Sequence, residues 1–373
     1  MVSPLPGRRS TLKTISRLRL PTTTIELAIS DILKKRSLYC TESDVKVVRF
    51  YETGAASVLK LEEIESQKPG SGEVSLRVHS LGLNRAEVLF RQGLYLEKPV
   101  LPARIGYEAS GTVEGVGEGV TGLSPGDYVS TIPAFSQSKY GVYGEQAVVP
   151  ARFVSTMPGS LPPNEAASVW MQYLTAYGAL IDIGCLSKDQ HVVITAASSS
   201  VGYAAIQIAR DAGAISIATT RSGAKKDRLL EAGADHVIVT DSENLIARVK
   251  DITGGKGAEI VFDAIAGPII DELAKAAAFE GKIFVYGALS LERSPFPLRT
   301  ALSKGISISG YTMFQITKDE ERLARGKKYV LDRLESGAFK PVVDRVFPLD
   351  RIVDAHEYME SNQQCGKIVV SCN

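Results

Sequence analysis

A chain of 373 residues, 44% apolar and 23% charged, has the composition of a soluble globular protein and length for two domains of ordinary size. A formal net charge of +1 gives no reason to expect nucleic acid or an anionic membrane as partner, and no apolar run reaches the roughly 18 residues of a membrane helix. The four cysteines (Cys40, Cys185, Cys365, Cys372) have no paired spacing, so neither a disulfide framework nor a zinc ribbon is indicated and a reducing compartment fits.

Residues 1–43 stand apart. They hold eight basic residues against Glu26, Asp31 and Glu42, and the first 25 residues hold no acid and many Ser and Thr. Such a segment reads as a mitochondrial transit peptide, or as a disordered extension of a cytoplasmic protein that folding does not need. From Asp44 the pattern turns β-rich. Strands are predicted over Val45–Phe50, Leu59–Glu63, Glu73–Ser80, Glu108–Val116, Tyr128–Thr131 and Glu145–Val149, with a short helix over Asn84–Gly93. This is one domain, 44–164. A helix over Glu165–Ile183 opens a second pattern, 165–310. There the strands His191–Thr195, Ile215–Thr219, His236–Val239, Ile260–Asp263, Lys282–Tyr286 and Ile306–Ser309 alternate with helices at Ser222–Ala232, Leu245–Thr253 and Pro268–Ala278. Alternation at this spacing gives an α/β fold with a doubly wound parallel sheet. Ile306–Ser309 reads as its edge, where unpaired N–H and C=O groups invite a twofold partner, hence an expected homodimer. Residues 311–373 carry a helix (Asp319–Ser336), the segment Pro341–Pro348 and a last strand, Gly366–Val370, and are expected to return to the first domain.

The turn after the first strand of that sheet is small throughout: Ala197, Ser198, Ser199, Ser200, Val201, Gly202. Strand, small-residue turn and helix form the phosphate-cradling start of a dinucleotide fold, where helix N–H groups face the pyrophosphate. Only Gly202 of the three fingerprint glycines is present, so a plain βα unit remains an alternative. About 20 residues on, an NAD site would place Asp or Glu on the ribose hydroxyl. Here the strand runs into Thr220, Arg221, Ser222, Gly223, Ala224, Lys225 and Lys226, with no carboxylate before Asp227. Two hydroxyls and several cations suit a 2′-phosphate, hence NADPH.

Gly106-Tyr-Glu-Ala-Ser-Gly111, Gly115-Val-Gly117, Pro125-Gly-Asp-Tyr-Val129, Thr175-Ala-Tyr177, the Ala197–Gly202 turn and Gly366-Lys-Ile-Val-Val370 together resemble the zinc-independent, quinone oxidoreductase-like branch of the medium-chain dehydrogenase/reductases. The resemblance covers residues 45–373 and implies a GroES-like β-rich catalytic domain followed by a Rossmann domain. Zinc alcohol dehydrogenases carry Gly-His-Glu where this chain has Gly106-Tyr107-Glu108, and a cysteine ligand near Asn84–Glu87, where there is none. Since a catalytic zinc needs about three protein ligands, no metal is expected. The resemblance places Asn84, Arg85, Tyr95 and Tyr107 in the substrate cleft, and assigns Thr175, Gly287 and Lys367 to the cofactor. Glu108 reads as buried and structural, with Arg85 pairing to it or to Glu87. The loop Ile132–Tyr143 is expected over the cleft, with Phe135, Tyr140 and Tyr143 facing a flat acceptor.

A site without a metal handles best the transfer of hydride from NADPH to an acceptor that is already electrophilic: a quinone, enone, enal or enoyl thioester. The protein then supplies placement and a few hydrogen-bond donors, for which Asn84, Tyr95 and Tyr107 are the candidates. Two other readings are an aldehyde or alcohol oxidoreductase using Tyr107 as proton donor, and a scaffold that keeps NADPH with little catalysis.

Overall fold

Apolar residues that alternate along short β-branched runs build three sheets. A computed structural model describes residues 44–372, so the basic extension and its targeting reading lie outside the described residues; from Val45 onward the chain packs as one unit. The strands are β1 (Asp44–Phe50), β2 (Lys60–Glu65), β3 (Glu73–Gly82), β4 (Ala103–Arg104), β5 (Glu108–Val116), β6 (Tyr128–Thr131), β7 (Gln146–Pro150) and β8 (Val154–Thr156). They continue with β9 (His191–Ile194), β10 (Ile215–Thr220), β11 (His236–Val239), β12 (Ala258–Asp263), β13 (Ala277–Val285), β14 (Ser307–Gly310), β15 (Val343–Pro348) and β16 (Lys367–Ser371).

The six-stranded parallel sheet has the order β11-β10-β9-β12-β13-β14. Counted from β9, this is the doubly wound order, whose direction reverses between β9 and β12 and opens a crevice at their carboxyl ends. Both faces are covered. Val192 and Ile194 of β9 join one core cluster with Ala204 and Phe262, while Val193 joins Ile217, Ile238, Leu273 and Ile283 on the other side. The first cluster runs on through Tyr173 and Trp170 to Leu76 and Val78, so one core serves both halves of the molecule. The fold class is the expected one.

The seven-stranded sheet has the order β15-β16-β3-β5-β6-β8, with β7 also paired to β3. β16 lies antiparallel to β3 with Val370 opposite Leu81 and parallel to β15. The far end of the chain therefore supplies two strands to the first domain's sheet. β8 is three residues long, too short for a period to register.

The helix expected over Glu165–Ile183 is broken. Pro163–Ala166 ends before Trp170–Tyr177 begins, and the chain then passes into a wider helical turn over Gly178–Ile183. The restart has two anchors from the other sheet: the Glu108 carboxylate accepts from Met171 N at 2.8 Å, and Trp170 Nε1 donates to Ser130 Oγ at 2.7 Å. A carboxylate on the first N–H groups of a helix is a strong start signal, but this one comes from a distant strand. The expected Ser222–Ala232 helix likewise starts later, as a 3₁₀ turn over Gly223–Lys225 and then Lys226–Glu231. Among the described residues, no helix is long and apolar enough to cross a membrane.

Helix Ile352–Glu360, which the sequence did not announce, buries His356 completely against the edge of the Tyr143 ring, at 5.8 Å between centroids. Neither ring nitrogen has a hydrogen-bond partner among the described residues. Burial first, then the Arg91 and Arg85 guanidiniums, push the imidazole down from 6.5 to about 3. With a depressed folded pKa, the neutral histidine favours the fold fully above pH 6.5, and that stability is lost as pH falls toward 3. At pH 5 the loss should reach about 2 kcal/mol. Urea melts at pH 7 and pH 5 should therefore show wild type losing about that much more than His356→Leu. An equal loss in both would disprove the assignment.

Candidate active site

The cradle is built at the crevice. β9 ends at Ile194, a turn follows, and the helix Ser200–Asp211 starts with Ser199 as its cap, Oγ accepting from Gly202 N at 3.1 Å. A Cβ on Gly202 would stand 2.3 Å from the Ala197 carbonyl oxygen, so this one glycine of the fingerprint is required by packing. Ser199 keeps ordinary extended angles, and the strain of the turn falls on Ala196, at φ 46°. Ala197 is buried, and Ser200 and Val201 bring first-turn N–H groups that have no intrahelical acceptor. Across the crevice, Thr195 Oγ1 donates to Asp263 Oδ1 at 2.6 Å, and Asp263 also accepts from Ile265 N and Ala266 N. This buried carboxylate joins the two loops at the reversal point; the sequence reading passed over it.

Beside the cradle the Tyr286 ring stacks on Phe262 at 4.0 Å, and its enclosed hydroxyl, close to Ser199, has no hydrogen-bond partner among the described residues. Gly287 follows, where a Cβ would meet the Ala264 carbonyl at 2.7 Å. At the end of β10, Thr220 is buried and Arg221 is exposed, its guanidinium making no hydrogen bond or ion pair among the described residues. Lys225 differs: its ammonium is held by the carbonyls of Asn362 and Gln364, each at 2.8 Å, with Ser198 Oγ at 3.4 Å. It ties the cradle to the loop before β16, as does Gly366 N on the Ser198 carbonyl at 2.9 Å.

Two residues assigned from the sequence to the cleft and the cofactor, Asn84 and Lys367, meet instead in one buried cluster with Glu87 and Glu108. Asn84 caps the helix Arg85–Arg91; its Nδ2 faces three acceptors, Gly82 O at 3.2 Å, Glu87 Oε1 at 3.2 Å and Glu108 Oε2 at 3.1 Å. An amide has only two N–H groups, so Asn84 has no donor left for a substrate oxygen, and the expectation that it is a free donor is corrected. Lys367 is corrected too. Its fully buried ammonium bonds Asn84 Oδ1 at 2.6 Å and the Glu108 carboxylate, so that ammonium is not free to reach a cofactor. Glu87 accepts from Asn84 N at 2.7 Å and Tyr107 N at 3.2 Å, and burial, opposed chiefly by Lys367, raises its carboxyl from 4.5 to about 7. Arg85 pairs with neither glutamate; it donates to the Met359 carbonyl and to Asn362 Oδ1. Thr175 is buried and turns its hydroxyl onto the Met171 carbonyl of its own helix.

The phenols form a separate, aromatic cluster. Tyr107 is buried with its ring 6.3 Å from Tyr95, 5.8 Å from Phe135 and 6.5 Å from Phe314. Tyr95 is half-buried, and burial together with the Glu87 charge pushes its phenol up to about 12. Burial raises Tyr107 further still. Both phenols therefore stay protonated at neutral pH and can donate. Tyr143, expected to overhang the cleft, lies buried beneath Gly106, where a Cβ would come within 2.1 Å of its ring. Among the described residues, no three of His, Cys, Asp and Glu gather as a metal-holding group.

Two family models match the chain: the alcohol dehydrogenase GroES-like domain over residues 70–159 and the zinc-binding dehydrogenase over residues 200–326. The second stretch contains one histidine, His236, and no cysteine. Quinone oxidoreductase of Homo sapiens is 31% identical over 329 residues, covering 87% of this chain and 97% of that protein. The chain belongs to the quinone oxidoreductase-like family of medium-chain dehydrogenase/reductases. As a member of that family it is an oxidoreductase. Its fold matches the solved Escherichia coli quinone oxidoreductase complexed with NADPH at TM-score 0.81 and 26% identity, covering 87% of this chain and 99% of that one. It also matches an NAD-dependent alcohol dehydrogenase at TM-score 0.82 and 31% identity, covering 88% of this chain and 100% of the other. Quinone oxidoreductase-like folds thus occur beside either dinucleotide, and residues must decide between them.

Proposed function

We propose that this protein is an NADPH-dependent reductase that passes a hydride to a quinone or an α,β-unsaturated carbonyl, such as an enone, enal or enoyl thioester, without a metal. The observation that carries the reading is the pair of protonated phenols, Tyr95 and Tyr107, in an aromatic cluster at the position where the zinc enzymes keep a metal ligand. Reduction of such an acceptor leaves charge on its oxygen, and neutral donors in a partly dry site stabilise that charge as it develops. Tyr95, the more accessible of the two, donates; Phe135 and Phe314 give a flat acceptor apolar surface. A neutral phenol at position 107 is a poor zinc ligand, and among the described residues no three of His, Cys, Asp and Glu gather to hold a metal.

The cradle fits a dinucleotide: Gly202 keeps the turn low, the helix start offers N–H groups, and Tyr286 leaves a hydroxyl needing a partner. Bound there, the reduced nicotinamide supplies the hydride. Ala197, Ser198, Ser199, Ser200, Val201, Gly202 and Gly287 would hold the pyrophosphate side, and Thr220 and Arg221 the 2′-phosphate. Lys225 supports this pocket by its carbonyl bonds.

The test is NADPH consumption by the purified protein with a panel of quinones, enones, enals and aldehydes, in buffer with and without chelator. Quinone or enone turnover that the chelator leaves intact supports the reading. Turnover of aldehydes alone would favour the oxidoreductase alternative, and NADPH binding without turnover the scaffold.

The reading includes a homodimer. β14 is the exposed edge of the parallel sheet, and the stretch leading into it leaves Leu289, Leu291, Phe296, Leu298 and Leu302 exposed. An apolar patch beside an unpaired strand edge calls for a partner. Light scattering at micromolar concentration should give twice the chain's 40.1 kDa, and Leu291→Asp with Leu302→Asp should shift it toward the monomer. A monomeric wild type would contradict this.

A further inference from the structure

Gln137 is fully buried, yet half of its amide is unanswered. Its Oε1 accepts from Gly106 N at 3.0 Å, which fixes which end of the amide is oxygen. Its Nε2 then has no hydrogen-bond partner among the described residues. A buried donor without an acceptor is costly and calls for an explanation. The residue after Gly106 is Tyr107, so the Gln137 amide is held next to the Tyr107 phenol, whose ring stands 6.3 Å from that of Tyr95. The placement is firmly held. Glu97, two residues past Tyr95, accepts from Ser136 Oγ at 2.5 Å, Gln137 N at 3.0 Å and Ser138 N at 3.3 Å. The segment bearing Tyr95 and the short helix Gln137–Tyr140 are thus clamped together around Tyr107.

We propose that Gln137 is a positioning residue: its Nε2–H donates to the Tyr107 oxygen, turns the Tyr107 proton onto Tyr95, and leaves the Tyr95 proton directed at the oxygen of the bound acceptor. The inference rests on the reading of Tyr95 as donor in acceptor reduction. Nothing is transferred along the chain; each phenol has one proton and two directions for it, and the fixed amide selects one. Donors aligned before charge develops are worth more than donors that must turn during the reaction, and such bonds are often loose until substrate is bound.

The test is a double-mutant cycle in the NADPH-loaded enzyme with a quinone acceptor. Gln137→Met and Tyr107→Phe should each lower kcat about tenfold, the loss for one hydrogen bond, with KM for NADPH unchanged. The double variant should fall no further, because Gln137 acts through Tyr107. Multiplying losses, or an unchanged kcat in folded Gln137→Met, would overturn the proposal. If the wild type reduces no quinone or enone at all, the parent reading fails, and a second measurement still judges this one. The side-chain amide resonance of Gln137 in glutamine-labelled protein should move in Tyr107→Phe, a near-isosteric variant, and an unmoved resonance would refute the contact.

Discussion

Lys367→Met should lower the unfolding free energy by about 3–5 kcal/mol, the cost of removing one partner from a buried ion pair. The ammonium is the cation of a cluster with two buried carboxylates, Glu87 and Glu108, and it also satisfies Asn84 Oδ1. Methionine keeps the volume and removes the charge. The deficit should depend on pH. Burial already lifts Glu87 to about 7, and Lys367 opposes that lift, so losing Lys367 moves Glu87 further up. A carboxyl whose folded pKa is raised favours the fold fully below its unfolded value, and that contribution is lost as pH rises through the folded one. The variant should therefore suffer more at pH 8 than at pH 5. Chemical denaturation at the two pH values measures this, and adding Glu108→Gln to Lys367→Met should recover part of the loss. A small, pH-independent deficit would mean the cluster is hydrated and the ion pair weak. Since the Glu108 carboxylate also starts the Trp170–Tyr177 helix through Met171 N, reduced turnover should accompany the lost stability.

Arg221→Ala should weaken NADPH binding by about 10- to 150-fold and leave NADH almost unaffected. The range converts about 1.5–3 kcal/mol for a hydrogen bond to a charged group. Arg221 stands exposed at the end of β10, the strand beside β9 and its cradle, with no carboxylate holding it among the described residues. Lys225, which from sequence alone shares this role, is engaged by two carbonyls, so more of the charge recognition falls on Arg221. The ratio of kcat/KM for NADPH and NADH, in wild type and variant, measures the effect. A wild-type ratio below one, or a ratio that mutation leaves alone, would remove the assignment.

The doubly wound sheet was legible because its information is local. Each strand from His191 to Val239 is a short run rich in β-branched residues and bounded by turn residues, and period and composition report such runs directly. Gly202 was legible for the same reason. What could not be read was which side chains already have partners. Asn84 and Lys367 are 283 positions apart, and only the pairing of β16 with β3 brings them together. Gln137 carried no signal at all, since a glutamine in an aromatic loop looks like any surface glutamine until Gly106 N is found on it. The broken helix before Gly178 has the same origin, a long-range carboxylate that no local window contains.

β16 gives the molecule an order of assembly. During synthesis the residues of the first domain emerge well before the strand that completes their sheet and the lysine that neutralises their buried carboxylates. The parallel sheet, whose strands all lie between His191 and Gly310, has its whole complement earlier than β16 does. Contacts of such long sequence separation form late, because the intervening chain must be closed first. The domain that begins first is thus finished last, and until then its uncovered edge of β3 and its unpaired glutamates are what a chaperone or a protease would meet.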